Sequence, residues 1–333
     1  MEKIKWAFTA TGNIANQFAQ GLAQVEDAEI SAVTGINMQE AERFAGIYGI
    51  KDCYDNVDQM LENADFDVVY ICTPNFMHYE QCMKCFELGK NVLCEKPLAD
   101  NVAQTKRLIE KAREKGVFFM EGMWTRFFPV IKKAKEWTEK GEIGDPKTIF
   151  ANFGTNLENE NQPWRASRKA AGGSLRDVSI YTIAFTYMMF GPQDDWMGTF
   201  TSNGEVDVNN NLMLKYNDGR AAFMSASLDM ITQYDAIING TRGRIVIDRD
   251  FWRPMRASLF KPDGTVLGEK CVEVFEEKYA GSGFQYEAMA VMDCLRKGLK
   301  ETKEMPLDET IRIAAFIEEI RKSWGIIFDS DEE

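Results

Sequence analysis

Short segments of this chain combine residue types that can do chemistry. Ala10-Thr11-Gly12-Asn13-Ile14-Ala15 follows an apolar run and fits a dinucleotide-binding turn at its second and third small positions, with Ala10 where the first glycine usually stands. In such a turn Gly12 lets the backbone approach a pyrophosphate, and Ala15 lets the following helix, whose N-terminus attracts the anion, pack closely. The next turn, Val33-Thr34-Gly35-Ile36-Asn37, lies where an acid or an arginine would read the adenosine ribose and carries neither. Without an arginine to pair with a 2′-phosphate, the choice between NAD and NADP leans to NAD. Two further segments hold ionisable groups of the kind used in acid/base work: Glu95-Lys96-Pro97, and Asp177-Val178-Ser179-Ile180-Tyr181 after Gly172-Gly173. Cys82-Met83-Lys84-Cys85 has metal-like spacing, but no second such pair accompanies it and His78 is the sole histidine, so helix packing is expected and a metal is not.

The elements that must position these groups are legible as period and punctuation. Apolar runs at 4–9, 29–34, 68–72, 91–94 and 117–121 alternate with amphipathic stretches at 14–22, 39–48, 79–88 and 102–115. That alternation calls for a parallel sheet covered on both faces, an α/β Rossmann domain over residues 1–122. Beyond Pro129 come helical patterns at 131–140 and 179–190, a strand at 147–153, and successive strands from 211 to 275 separated by turns such as Asn217-Asp218-Gly219. Two helices, 284–297 and 308–324, follow. We therefore expect an α+β domain over 123–328 on a large, mostly antiparallel open sheet, then a solvated acidic tail at 329–333.

Composition narrows the function. A chain of 333 residues, 45% of them hydrophobic, has enough apolar surface for a core in each domain. Its net charge of -13 and pI near 4.8 give no basic field to collect nucleic acid or anionic lipid. No apolar run is long enough to span a bilayer, and the first residues run straight into a strand instead of a signal peptide. The odd cysteine count, with Cys72 and Cys94 inside apolar runs, reads as reduced thiols in a cytoplasmic protein.

At Glu95-Lys96-Pro97 and Asp177 to Tyr181 the sequence resembles the Gfo/Idh/MocA oxidoreductases, over nearly its whole length. Cys72-Thr73-Pro74-Asn75 before His78, Met123-Trp124-Thr125-Arg126-Phe127-Phe128-Pro129 and Met305-Pro306-Leu307-Asp308-Glu309 extend the likeness. Tyr181, where many members carry histidine, points to the subgroup of dimeric dihydrodiol dehydrogenase and NADP-dependent xylose dehydrogenase. The resemblance implies that Thr9, Thr11, Gly12, Asn13, Ile14, Gly35, Ile36, Thr73, Pro74, Asn75, His78, Glu95, Lys96, Trp164 and Arg165 face the cofactor. It implies a substrate wall of Trp124, Phe153, Arg165, Arg176 and Trp252, and an assembly of two or four copies. Arg176 stands where an apolar residue is more usual.

The same resemblance gives Lys96, Tyr181 and Asp177 catalytic roles. Oxidising an alcohol requires its hydroxyl to lose a proton, and a phenol with an ordinary pKa near ~10 is a poor base at neutral pH. An ammonium nearby favours phenolate and holds the substrate oxygen, so Tyr181 is expected as acid/base, Lys96 as its activator, and Asp177 as orienter of Lys96 or of a sugar hydroxyl. The expected activity is hydride exchange between a nicotinamide and a sugar, polyol or dihydrodiol. Three cations, Lys96, Arg165 and Arg176, favour an uncharged or anionic substrate. The alternatives are a nicotinamide-binding sensor without catalysis, or an enzyme that keeps its cofactor bound through a transient oxidation.

Overall fold

The computed structural model describes residues 2–156 and 163–331, which form two compact units: Met1–Trp124 with Tyr279–Ala315, and Thr125–Lys278 with Phe316–Glu333. In the first, strands β1 (Ile4–Phe8), β2 (Ala28–Thr34), β3 (Asp52–Tyr54), β4 (Val68–Ile71), β5 (Asn91–Glu95) and β6 (Phe119–Gly122) make one parallel sheet in the order β3-β2-β1-β4-β5-β6. Helices α1 (Asn13–Leu22), α2 (Met38–Tyr48), α3 (Val57–Asn63), α4 (His78–Glu87) and α5 (Val102–Lys115) are the crossovers. All four residues of β4 are buried, as a central strand of a sheet covered on both faces requires. Asn101 caps α5 by accepting from the Gln104 N–H, and Gly116, at φ 63°, ends it in a left-handed turn that side chains resist. Cys82 and Cys85 lie buried on α4 among Val92, Leu108 and Phe119, so their spacing serves packing.

The strand order reverses between β1 and β4, so the turns after these strands open side by side at the carboxyl edge, where ligands of this fold bind. Residues 279–315, which the sequence reading groups with the second domain, belong to this unit. Helix α8 (Gln285–Arg296) packs on α1 so closely that a Cβ on Gly21 would lie 2.8 Å from the Gln285 nitrogen.

The second unit contains α6 (Pro129–Glu139), β7 (Pro146–Gly154), α7 (Ile180–Phe190), β8 (Asp195–Ser202), β9 (Asp207–Lys215), β10 (Ala221–Ser227), β11 (Ala236–Gly240), β12 (Gly243–Ile247), β13 (Arg256–Pro262) and β14 (Glu269–Glu276). Its eight strands run β14-β13-β12-β11-β7-β10-β9-β8, antiparallel throughout except where β7 meets β10. Alternation along β10, with Ala222, Met224 and Ala226 buried, marks one covered face. Helix α7 is apolar on all sides, and nine of its residues are buried. The last helix, α9 (Leu307–Ser323), leads into the tail.

That tail corrects an expectation. Asp331 is not solvated: its carboxylate and the Arg321 guanidinium are 4% and 2% exposed and form an ion pair at 2.6 Å. The acidic residues after Asp331 lie outside the described residues. Among the described residues, no helix is long and apolar enough to cross a membrane, and no cluster of His, Cys, Asp and Glu could hold a metal.

Candidate active site

In the first unit, the expected nucleotide turn is tied down from behind and open in front. Thr9 joins the ends of β1 and β4: its N–H donates to the Tyr70 carbonyl, and its Oγ1 accepts from the Cys72 N–H at 3.2 Å. Asn16 Nδ2 donates to the carbonyls of Thr11 and Gly12, and the Tyr48 hydroxyl donates to Asn16. Gly12 caps α1 without any side-chain acceptor for the first-turn N–H groups, and the first turn carries no acid. A Cβ on Gly12 would meet nothing within 4 Å. Open space over an uncapped helix N-terminus fits a pyrophosphate, so the turn has the form a dinucleotide needs.

Gly35 has a steric reason of its own, because a Cβ there would sit 2.6 Å from the Ala41 nitrogen as α2 begins. Ile36, beside it, is 92% exposed. After β4, Thr73 Oγ1 donates to Gln81 Oε1, Asn75 is buried, and Pro74 is exposed. His78 spans two turns, with Nε2 2.9 Å from the Thr73 carbonyl and Nδ1 3.1 Å from the Pro97 carbonyl. It therefore holds the 73–75 loop to the turn that carries Lys96, across a cis Lys96-Pro97 peptide.

Glu95 points into the interior. It is buried, accepts from the Tyr70 hydroxyl at 2.6 Å, and accepts from the Lys96 backbone N–H at 3.3 Å. Burial raises its carboxyl to about 7, although the Tyr70 hydrogen bond and the Lys96 charge pull the other way. Burial likewise pushes Glu287 on α8 far above the carboxylate range, with Glu95 adding to the shift. Glu95 is thus the support beneath Lys96. Trp124 is buried and stacked on Phe284 at 4.1 Å.

In the second unit, a π-helical turn (Leu175–Ser179) leads into α7 and carries Asp177, with Tyr181 one turn on. Arg165 Nε donates to Asp177 Oδ2 at 2.5 Å. The glycine pair makes that contact possible. The Gly173 N–H bonds to the Arg165 carbonyl, a Cβ on Gly172 would collide with that carbonyl, and Gly173 sits at φ 113°. Beneath the turn, Asp207 accepts from Ser174 Oγ, the Leu175 N–H and Asn210, while burial pushes its carboxyl up against those bonds.

Beside it stands an aromatic wall. Phe153 stacks on Trp252 with centroids 3.8 Å apart, lies 5.5 Å from the Tyr181 ring, and meets Tyr234 edge-on. Thr125 Oγ1 donates to the Trp252 carbonyl and fixes that loop. Phe153 and Ala166 both pack against the cluster of Val178, Ala226 and Leu228, and Val178 and Ala166 adjoin Asp177 and Arg165, so the wall lies beside the ion pair's neighbours. Trp164, next to Arg165, is 44% exposed.

Arg176 does not join this group. It is 4% exposed, with its guanidinium over the Phe328 ring at 5.3 Å, because successive residues of a helical turn face different ways. Within this unit Arg165 is paired with Asp177 and Arg176 is buried against Phe328, which tempers the positive field expected from these two cations. Asp177 takes Arg165 as its partner in the structure. The sequence reading missed Asn16, Tyr70, Gln81 and Tyr234. Only Tyr234, an aromatic in a polar loop and here at φ 67°, left any trace in the sequence.

Residues 4–123 match the family model described as "Oxidoreductase family, NAD-binding Rossmann fold", and residues 131–246 match "GFO/IDH/MocA C-terminal domain". The chain is 33% identical to trans-1,2-dihydrobenzene-1,2-diol dehydrogenase of Mus musculus over 341 residues, covering 99% of each. With the Homo sapiens protein of that name it shares 31% over 335 residues, again 99% of each. Among solved structures, KijD10, a 3-ketoreductase from Actinomadura kijaniata in complex with NADP and TDP-benzene, superposes with a TM-score of 0.85 at 22% identity, over 96% of this chain and 98% of that one. Levoglucosan dehydrogenase in complex with NADH and levoglucosan superposes at 0.87 with 18% identity, over 97% of each. Both likenesses bear on the fold. Matched by family models over residues 4–123 and 131–246, and end to end by relatives above 30% identity, the chain belongs to the Gfo/Idh/MocA family of oxidoreductases.

Proposed function

We propose that the protein is an NAD(P)-dependent dehydrogenase or reductase for a carbohydrate-like or vicinal-diol alcohol, with Tyr181 as acid/base and Lys96 as its activator. The observation that carries this reading is the Phe153–Trp252 stack beside Tyr181 and the Arg165–Asp177 pair. An apolar plate next to a few directed polar groups suits a molecule with C–H faces and hydroxyls. The relatives named for dihydrodiol oxidation, similar along the whole chain, support the same class.

When bound, the nicotinamide supplies the hydride acceptor or donor. Backbone N–H groups of the Gly12–Asn13 turn would hold its pyrophosphate, with Thr11, Ile14, the 73–75 loop and the Lys96 turn around the remainder. Tyr181 Oη takes the substrate hydroxyl proton in oxidation and returns it in reduction. Lys96 Nζ favours the phenolate and donates to the reacting oxygen. Asp177, held by Arg165, accepts from a neighbouring substrate hydroxyl. Lys96 and Tyr181 are assigned to one reaction on the family motifs, so variants must test the pairing.

Reduced-nicotinamide absorbance should report turnover when NAD and NADP are each offered with D-xylose, other aldoses, polyols and trans-1,2-dihydrobenzene-1,2-diol. Tyr181→Phe should lower kcat by about 10²–10⁴-fold with cofactor affinity nearly unchanged. Lys96→Met should cost at least as much, and the double variant far less than the product, since residues acting as a unit are not additive. Tight cofactor binding without turnover of any alcohol would mark a sensor. Near-native kcat in both single variants would move the reacting centre elsewhere.

The finer assignments follow from particular residues. Exposed Ile36, with no cation beside it in sequence, supports NAD over NADP. The absence of any disulfide among seven free thiols, five of them buried, supports a reducing compartment such as the cytoplasm. An apolar row across the outer sheet face supports a homodimer or homotetramer.

A further inference from the structure

The tail that the sequence presents as a solvated acidic end is folded onto the back of the turn that carries Asp177. Arg321, at the end of α9, donates from Nη1 to the Ile326 carbonyl at 2.7 Å and to Asp331 Oδ2 at 2.6 Å, and from Nη2 to Asp331 Oδ1 at 2.7 Å. The Phe328 N–H donates to the same carboxylate at 2.8 Å, closing residues 326–331 into a turn around one guanidinium. Inside that turn the Phe328 ring is 2% exposed and lies between two cations, 4.2 Å from the Arg321 guanidinium and 5.3 Å from that of Arg176. Phe328 and Ile326 also pack with Ala171 and Val206, and Ala166 leans on the cluster. Ala166 adjoins Arg165, Ala171 adjoins Gly172-Gly173, and Arg176 adjoins Asp177.

We infer that residues 326–331 are a latch that positions the Arg165–Asp177 pair, Phe328 acting as the wedge and the Arg321–Asp331 bidentate pair as its pin. The latch reaches the neighbours of that pair on both sides, meeting Arg176 directly and sharing one apolar cluster with Ala166. A bidentate pair buried at both ends fixes geometry in a way that a surface pair does not. Burial raises the Asp331 carboxyl, but the Arg321 and Phe328 hydrogen bonds outweigh it and hold the group below its usual range, so the pin is charged at neutral pH. The inference rests on the proposed role of Arg165 and Asp177 in the reacting site. It makes Phe328, Arg321 and Asp331 positioning residues, and it accounts for the charged residue at 176.

The test uses the full chain with NAD or NADP, trans-1,2-dihydrobenzene-1,2-diol and D-xylose as probes, and amide hydrogen exchange as a readout that needs no substrate. Asp331→Asn and Phe328→Leu should speed exchange in residues 164–179 as well as in 326–331, leaving residues 2–124 unchanged. They should lower kcat by about 10–10²-fold while cofactor KM stays put, the cost of a slightly displaced site. Asp331→Glu, which keeps the charge, should recover part of the loss. If Asp331→Asn does not fold, Phe328→Leu, which leaves the pin intact, carries the same expectation. The latch is overturned if exchange in 164–179 or kcat is unaffected once the tail itself is loosened. Asp177→Asn separates the two ideas: native kcat there removes the proposed role of the pair and the latch with it. Lost turnover there beside native turnover in both tail variants sinks the latch alone.

Discussion

Glu95 shows how a buried residue beside the proposed reactive lysine can matter from within the core. Its carboxyl is raised to about 7, chiefly by burial, so the folded protein holds a proton there that the unfolded chain releases at lower pH. A raised carboxyl pKa opposes folding once the group ionises, so stability from this site is greatest below the unfolded value near ~4.3 and declines as pH climbs toward 7. Melting from pH 5 to pH 8 should therefore show a decline that Glu95→Gln reduces by roughly 2–3 kcal/mol. An identical slope in wild type and variant would mean that Glu95 keeps an ordinary pKa. At this scale Lys96, Asp177 and Tyr181 stand out as candidates because their motifs are local. The partner of Asp177 was not, since Arg165 reaches it only through the backbone approach that Gly172-Gly173 permits. Arg176 was misplaced because sequence spacing does not say which way a π-helical turn rotates its side chains.

Among the elements, the helices and long strands of the Rossmann sheet were legible from alternation and caps, whereas β3 and α3 were not. Three strand residues and a seven-residue helix are too short to show a period, and α3 is announced only by Asn56, whose side chain accepts from the Asp58 and Gln59 N–H groups. Most strands of the second sheet were visible singly, though β8 was not, and their order was hidden because β7 pairs with β10 and β11 across long stretches of sequence. The turn from β2 to α2 offers the test that belongs to this scale. Its backbone is fixed by Gly35 against Ala41 and by Asn37, which accepts from the Glu40 N–H, so residue 36 can change without disturbing the turn. Ile36→Arg puts a fork-shaped cation where none stands and should shift the NADP-to-NAD ratio of dissociation constants toward NADP by about tenfold, near the value of one charge-assisted contact. An unchanged ratio would show that this turn does not face the ribose, and tenfold tighter NADP in the wild type would end the lean to NAD.

For the whole molecule, the open face of the second sheet is the feature with the widest consequence. Strand register lines up Met197, Met213, Phe223, Phe150, Ile237 and Val246 as successive cross-strand neighbours, and Val274 extends the row beyond the small, buried Ser258. Phe150, 44% exposed, stacks on Phe223 at 4.9 Å, and a hollow of about 550 Å³ lies along their strands. A contiguous apolar row on an exposed sheet face is the kind of surface that partners cover, and a flat face can meet its own copy about a two-fold axis, so the proposed homodimer or homotetramer is tested here. Placing charges in the middle of that face makes each copy desolvate them without partners, which costs several kcal/mol. Phe150→Glu with Phe223→Glu should therefore weaken self-association by about 10²–10³-fold and give a monomer by light scattering, where the wild type gives a dimer or tetramer. Circular dichroism and melting should be nearly unchanged, because both side chains point away from the α7 face of the sheet and their loss opens no cavity. A wild type that stays monomeric at the highest concentrations measured would leave the row without a partner of its own kind. A double variant as oligomeric as the wild type would place the contact on another face.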